Sequence, residues 1–483
     1  MSVVKISLPR IAVMATATTV AAMHAVGAQR MPTRDSLFAA VDRAAARDMQ
    51  TLGIPGIAVA FVDSGRIVYA KGYGTSNVET GAPVTPDMLF RVGSITKLVT
   101  AITVVAEAKA RGISLDAPIA RYMKGLSPRL GKVTLAQLLE HTAGVAEIIT
   151  ATPIDEDENE DDLVRSVRAC TDAMLFTEPG DVHSYSNPGY ILAGAVIAAA
   201  SGKRYTDLVA ERVLQPVGMT RATFATQSAV TWPFSQGHIG AVGAPPQLVR
   251  PVLTDARHLP STFLWASAED IARLAIAVMN HGMIDGRQAI DRAVIETIVK
   301  PRMAFPGATN VFGGLGVIVN EGGVLLWSKN GRMNGFGSRV AMAPTVNRAF
   351  VVLENRLDAT PTATQRAATE AIGAGGRQPP PVDTTGRVLL PAELVGRYLN
   401  GTRVITVSAR SGGGDALEIV DRDTTERTLR GSGRIVGWNA LELRFANDET
   451  KATGTIRFTV IRDASGGVKY LYTGERAFRR RGR

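Results

Sequence analysis

The stretch Phe90-Arg91-Val92-Gly93-Ser94-Ile95-Thr96-Lys97-Leu98-Val99-Thr100-Ala101-Ile102-Thr103-Val104-Val105, running on to Arg111 and Gly112, decides the reading of this 483-residue chain. From Ser94 to Arg111 it consists largely of Ile, Leu, Val, Ala and Thr. That run is too long for one strand and ends at a glycine, so it predicts a buried helix. Ser94 and Lys97 stand three residues apart, which puts hydroxyl and amine on one helical face, one turn apart. A serine hydroxyl is a poor nucleophile at neutral pH without a base, and a lysine is that base only where burial or nearby positive charge lowers its pKa. The apolar helix supplies the burial. Phe90 to Gly93 lead in from a turn, so Ser94 is expected at a helix start, where free backbone amides can stabilise an oxyanion. The spacing alone is not specific, because Ser2 and Lys5 share it.

On the N-terminal side, Gly56 to Val62 and Arg66 to Tyr73 are β-rich runs separated by Asp63-Ser64-Gly65, which predicts a hairpin. On the C-terminal side, helical patterns run to about residue 300, among them Leu135 to Glu140, Tyr190 to Ser201 and Ala268 to His281, the last capped by Ser267 with Asp270 three residues on. Strand patterns return at Phe312 to Val319, Gly323 to Lys329, Phe336 to Ala343 and Ala349 to Glu354, followed by a helix from Ala363 to Ile372. Strands at both ends with helices between predict an α+β fold whose sheet closes the chain on itself. The Gly- and Pro-rich residues 373–389 read as a linker. Residues 390–483 alternate short strands and turns, at Arg403 to Ser408, Ala416 to Val420, Leu441 to Phe445, Thr455 to Ile461 and Val468 to Tyr472, which suits a small antiparallel barrel or sandwich.

Residues 1–28 carry Lys5 and Arg10, then an apolar run from Ile11 to Met23, then Val26-Gly27-Ala28, the pattern of a cleavable signal peptide. A periplasmic or secreted protein with no integral membrane segment after cleavage is expected. The single cysteine, Cys170, excludes an intrachain disulfide. The formal charge of +10 is concentrated in Arg476 to Arg483, without the interleaved aromatics of a nucleic-acid surface, so it reads as a solvated basic end and no nucleic-acid partner is expected. His24, His141, His183, His238, His258 and His281 lack ligand spacing, and the acidic run Asp155 to Asp162 lacks the glycine turn of an ion-binding loop. Neither metal nor cofactor is expected, and no feature sets an oligomeric state.

Two further triplets bear on chemistry. Tyr185-Ser186-Asn187 lies in a turn-rich loop before a helix, where a phenol near two ammonium groups has its anion stabilised and can shuttle a proton to and from the serine. Tyr398-Leu399-Asn400 matches it by spacing alone. Lys329-Asn330-Gly331 ends an apolar strand and is the only Lys-x-Gly triplet in the chain. A lysine there can hold a substrate carboxylate, with the glycine letting substrate approach the strand edge.

In order and context the three triplets resemble those of the serine β-lactamase and D-alanyl-D-alanine peptidase superfamily, over residues 35–372. The resemblance extends to Leu138-Leu139-Glu140-His141-Thr142-Ala143-Gly144 and Asn334-Gly335-Phe336-Gly337-Ser338. It implies a β-lactamase/DD-peptidase-like fold with an all-helical subdomain, acylation of Ser94, proton transfer shared by Lys97 and Tyr185, substrate orientation by Asn187, and electrostatic completion by Lys329. It also implies an oxyanion hole from the amides of Ser94 and Arg332 beside Gly331. The Tyr-x-Asn form is similar to class C β-lactamases and their esterase and peptidase relatives. Asn330 stands where penicillin-binding members carry threonine, which points away from true β-lactamase activity. The expected activity is hydrolysis of small amides or esters, with D-amino-acid peptides, esters or β-lactams as substrates. The competing reading is a penicillin-binding or sensor-type module that does not turn over.

Overall fold

The computed structural model describes residues 33–147, 159–252, 254–375, 389–409, 417–422, 428–436, 440–446 and 453–482. The expected signal segment, residues 1–28, and nearly all of the expected linker lie outside the described residues. Eight strands form the main sheet: β1 (Gly56–Asp63), β2 (Arg66–Gly74), β3 (Met303–Ala304), β4 (Val311–Gly313), β5 (Ile318–Asn320), β6 (Leu326–Met333), β7 (Phe336–Ala343) and β8 (Arg348–Glu354). Their spatial order is β2-β1-β8-β7-β6-β5-β4-β3, and neighbours pair antiparallel. The N-terminal hairpin thus docks against the last strand, Val59 opposite Val352, as an α+β chain closing on itself requires.

Side chains alternate across a strand, and both faces of this sheet are covered. Ile57, Val59, Phe61, Phe350 and Val352 face a core shared with α1 (Arg34–Leu52) and the last helix of this part (Thr362–Ala371), while Ala58, Ala60, Val351 and Leu353 face the larger core on the other side. That larger core holds α2 (Thr96–Arg111), α3 (Leu135–Leu139), α4 (Asp161–Arg168), α5 (Asn187–Ser201) and α6 (Ala268–Met279). Ser267 and Asp270 form the expected capping box at the start of α6. Asp161 and Asp162, at the end of the acidic run, form the first turn of α4, whereas residues 155–158 lie outside the described residues.

Two strand expectations need correction. The run Phe312 to Val319 is two strands, because Gly313, Gly314 and Gly316 turn the chain between β4 and β5. Gly316 has φ +77°, and a Cβ there would lie 2.7 Å from Lys97 O, so this hairpin rests on the start of α2. The second correction concerns Lys329-Asn330-Gly331, which sits mid-strand in β6. The strand continues to Met333 and turns at Asn334 and Gly335, both at positive φ.

Beyond the linker, eight strands close into an antiparallel barrel: β9 (Gly396–Asn400), β10 (Arg403–Ala409), β11 (Leu417–Arg422), β12 (Thr428–Val436), β13 (Ala440–Ala446), β14 (Thr453–Arg462), β15 (Val468–Tyr472) and β16 (Ala477–Arg480). Tyr398, Ile405, Leu417, Leu443, Phe458 and Phe478 fill the interior, as expected for a barrel of this size. The basic end of the chain is not a solvated tail: Ala477 to Arg480 is the closing strand, paired to both β9 and β15. Phe478 faces the barrel interior, whereas Ala477 and Arg479 lie on the outer face, where Ala477 is buried against Val182 and Arg479 is exposed. Along the face where the barrel meets the first part of the chain, Tyr470, Tyr472 and Ala477 pack with Val182.

Candidate active site

The approach to Ser94 depends on two glycines. Gly93 adopts φ +51° and its missing Cβ would lie 2.6 Å from Arg332 N, while a Cβ on Gly331 would lie 2.7 Å from Ser94 N. Any larger residue at either position would push the helix start off β6. The amides of Ser94 and Arg332 therefore flank one cleft, a cavity of about 390 Å³ lined by Ser94, Tyr185, Asn187, Lys329, Gly331 and Arg332 among others. A short 3-10 turn, Gly93–Ile95, carries Ser94, and α2 proper begins at Thr96.

Lys97 lies beneath this cleft, fully buried. Its Nζ is 3.1 Å from Ser94 Oγ, 2.6 Å from Asn187 Oδ1 and 2.8 Å from Ser261 O. Burial, then the nearby Lys329 ammonium, holds the Lys97 amine well below the usual lysine range. Burial likewise lowers Lys329 to about 8. Tyr185 donates its hydroxyl to Ser94 Oγ at 2.7 Å. Its ring is faced by Lys97 Nζ at 4.9 Å, Lys329 Nζ at 5.1 Å and Arg476 at 5.2 Å. Despite these cations its pKa is pushed up, with burial as the largest cause. Tyr185 thus donates to the serine from a buried site that disfavours its anion.

The Tyr185 loop is held from two sides. His141, at φ +61°, accepts the Ser186 amide on Nδ1 at 3.1 Å, and its carbonyl accepts the Ser184 amide at 2.8 Å. His141 is thus a structural residue of a turn, and burial keeps it neutral. On the other side, the Tyr185 amide donates to Glu475 O at 2.8 Å, and Ser184 Oγ accepts from Asn400 Nδ2 at 3.0 Å and from the Ala477 amide at 3.2 Å. Ser186 caps α5 by accepting from the Gly189 amide, which places Asn187 in the first turn with a free backbone N–H. Glu147 takes that N–H on Oε2 at 2.8 Å and Asn187 Nδ2 on Oε1 at 2.6 Å.

All seven residues singled out in the sequence converge here. Reading the sequence missed Glu147, the Ser261 carbonyl, Asn400, Glu475 and Arg476. Asn400 had appeared only as the second Tyr-x-Asn match, and Arg476 only as part of a basic tail. Among the described residues no group of three or more His, Cys, Asp or Glu is placed to hold a metal ion, and no helix is long and apolar enough to cross a membrane.

The chain is 30% identical to Penicillin-binding protein 4 of Amycolatopsis lactamdurans over 199 residues, 40% of this chain, and spans about half (51%) of that relative's length. A solved structure of SurE with D-Leu superposes with a TM-score of 0.73 at 23% identity, covering 93% of this chain and 99% of the other. The D-alanine carboxypeptidase AmpC from Burkholderia cenocepacia superposes with a TM-score of 0.58 at 24% identity, covering 71% and 100%. These superpositions match the serine hydrolase-like fold. The sequence model of the Beta-lactamase family matches residues 41–374, and with that match over most of its length the chain belongs to the Beta-lactamase family.

Proposed function

We propose that this chain is an exported serine hydrolase that forms an acyl-enzyme on Ser94 and cleaves small amides or esters, among them D-amino-acid peptides, esters or β-lactams. The observation that carries the reading is the double contact on Ser94 Oγ, with a phenol donating from one side and a depressed-pKa amine 3.1 Å away on the other. A neutral lysine has two N–H bonds and one lone pair. Asn187 Oδ1 and Ser261 O are pure acceptors at 2.6 and 2.8 Å, so they take both N–H bonds and leave the lone pair facing Ser94 Oγ. As Ser94 attacks a carbonyl carbon, its proton passes to Lys97. The tetrahedral oxyanion meets the Ser94 and Arg332 amides. Tyr185 then gives its proton to the departing nitrogen or oxygen and recovers one from Lys97, leaving the acyl group on Ser94. Water attacks the acyl-enzyme by the same path in reverse.

Lys329, buried yet lining the cleft, suits a substrate carboxylate, and the D-leucine and D-alanine named for the two structural neighbours agree with a D-amino-acid substrate. Asn330 in place of a threonine favours esters and peptides over β-lactams. Export rests on residues 1–28. The test is hydrolysis of p-nitrophenyl butyrate by the mature protein beside Ser94→Ala. A burst of p-nitrophenol followed by turnover, both lost in the variant, is expected. A burst without turnover supports the non-turnover module, and equal signals in both proteins defeat the assignment of Ser94.

A further inference from the structure

The Asn187 amide fixes the direction of the Lys97 lone pair, and something must fix the amide. An asparagine side chain presents an acceptor on one edge and donors on the other, and rotation by half a turn would face Lys97 with N–H groups. Glu147 prevents that rotation, because its two oxygens accept the backbone N–H and Nδ2 of the same residue, leaving only Oδ1 for Lys97. Glu147 is not part of the three triplets and does not touch Ser94 in this arrangement. Its own position is set by the barrel. The Glu147 amide donates to Asn400 Oδ1 at 3.0 Å, and Arg476 approaches Glu147 Oε1 at 3.8 Å. Asn400 is 1% exposed, and its Nδ2 is used by Ser184 Oγ and Ala477 O, at 3.0 and 2.8 Å. One barrel residue therefore ties together the strand that closes the barrel, the Tyr185 loop and the segment bearing Glu147.

We propose that Glu147 is a positioning residue for proton transfer at Lys97 and that the barrel, through Asn400, holds it there, so the acylation site is assembled from both parts of the chain. This rests on the reading of Ser94 as the acylated nucleophile. The charged and titratable groups facing Lys97 are Lys329 from β6, Tyr185 and His141 from the loop and its turn, Tyr190 from α5, His258 from the turn before Ser261, Glu147, and Glu475 with Arg476 from the hairpin between β15 and β16. Of these, Lys329 and Arg476 lower the Lys97 pKa, while Glu147 and Glu475 raise it. Removing the Glu147 charge therefore moves Lys97 further down. The acid limb of an acylation profile, where Lys97 must lose its proton, then shifts to lower pH even as the plateau falls because the amide is no longer clamped.

The experiment measures the p-nitrophenyl butyrate burst rate from pH 5 to 10 on full-length mature protein, for wild type, Ser94→Ala, Glu147→Gln, Asn400→Ala and Lys469→Ala. Glu147→Gln keeps size and one acceptor oxygen, and its fold is checked by near-ultraviolet circular dichroism. The expected result is a plateau lowered about tenfold or more with the acid limb moved down by about one pH unit, the scale of a lost charge partner. Asn400→Ala removes three hydrogen bonds, of which the one to the Glu147 amide bears on Lys97, and is expected to lower the plateau roughly fivefold to tenfold, about the effect of losing that one. Lys469→Ala, which removes the Lys469 to Asp181 ion pair and the ammonium over the Tyr470 ring without touching Glu147 or Asn400, is expected to keep the wild-type profile. A Glu147→Gln plateau within twofold of wild type, or a lowered plateau with an unmoved limb, overturns the role of Glu147. A folded Asn400→Ala with wild-type rates overturns the barrel's share. A wild type that shows neither burst nor turnover, or signals matched by Ser94→Ala, removes instead the hydrolase reading on which the inference rests.

Discussion

Two Tyr-x-Asn triplets in this chain end within one hydrogen-bond network, yet they do different things. In Tyr185-Ser186-Asn187 the chain passes from a loop into α5, so the phenol turns to Ser94 Oγ and the amide to Lys97. In Tyr398-Leu399-Asn400 the chain is an extended strand, β9. Tyr398 points into the barrel and donates to Leu394 O at 2.8 Å, and Asn400 reaches out of the strand's end to Ser184 and Glu147. Identical spacing thus yields a proton-transfer pair where a helix start converges on a nucleophile, and a structural tyrosine with a tethering asparagine where a strand runs through a core. The difference teaches that a triplet acquires its chemistry from the backbone that carries it.

The sharpest way to break this comparison is to remove the two phenols in turn. Tyr185→Phe, and with it Lys97→Ala, is expected to slow acylation by about a hundredfold or more in single-turnover kinetics, the scale of a lost general acid or base. A tenfold smaller loss in both would place proton transfer elsewhere. An intermediate effect concerns the cleft's charge. Burial lowers the Lys329 pKa to about 8, so its positive charge is lost as pH rises through that value. KM for a carboxylate-bearing peptide is therefore expected to rise roughly tenfold between pH 7 and 9, the value of one charge-assisted hydrogen bond. KM for an uncharged ester should stay flat across the same range. Parallel rises for both substrates would remove Lys329 from carboxylate binding. The smallest effect belongs to Tyr398→Phe, which leaves Leu394 O without its donor and is expected to cost about 1 kcal/mol in denaturant unfolding while leaving turnover unchanged. Loss of activity in that folded variant would mean the barrel interior communicates with the site.

Legibility followed the range of the interactions. The helix over residues 96–111, the hairpin of β1 and β2, the capping box at Ser267 and the strand Phe336–Ala343 rest on local periodicity and caps, and the sequence reading found them. It missed β9, β12 and β16. β12 carries Gly431, Ser432 and Gly433, which break the strand pattern, yet a Cβ on Gly433 would lie 2.8 Å from Ile419 Cδ1, a crowding visible only once the barrel is closed. The arginines of β16 read as solvated charge because pairing on both edges of that strand is contributed by residues some eighty positions away in β9 and by its neighbour β15.

By itself the sequence determined that a serine and a lysine share a helical face inside an apolar run, that a tyrosine and an asparagine sit before a helix, and that strands bracket helices in an α+β order. Spacing and hydrophobic period suffice for such statements because they concern residues within a turn or two of each other. Only the tertiary structure decided that Tyr185 donates to Ser94, that Lys97 is stripped of water and meets two fixed acceptors, and that the barrel supplies Glu475 and Arg476 to the cleft and Asn400 behind it. Desolvation and hydrogen-bond direction depend on every group packed around an atom, and here those groups come from segments up to several hundred residues apart in the chain.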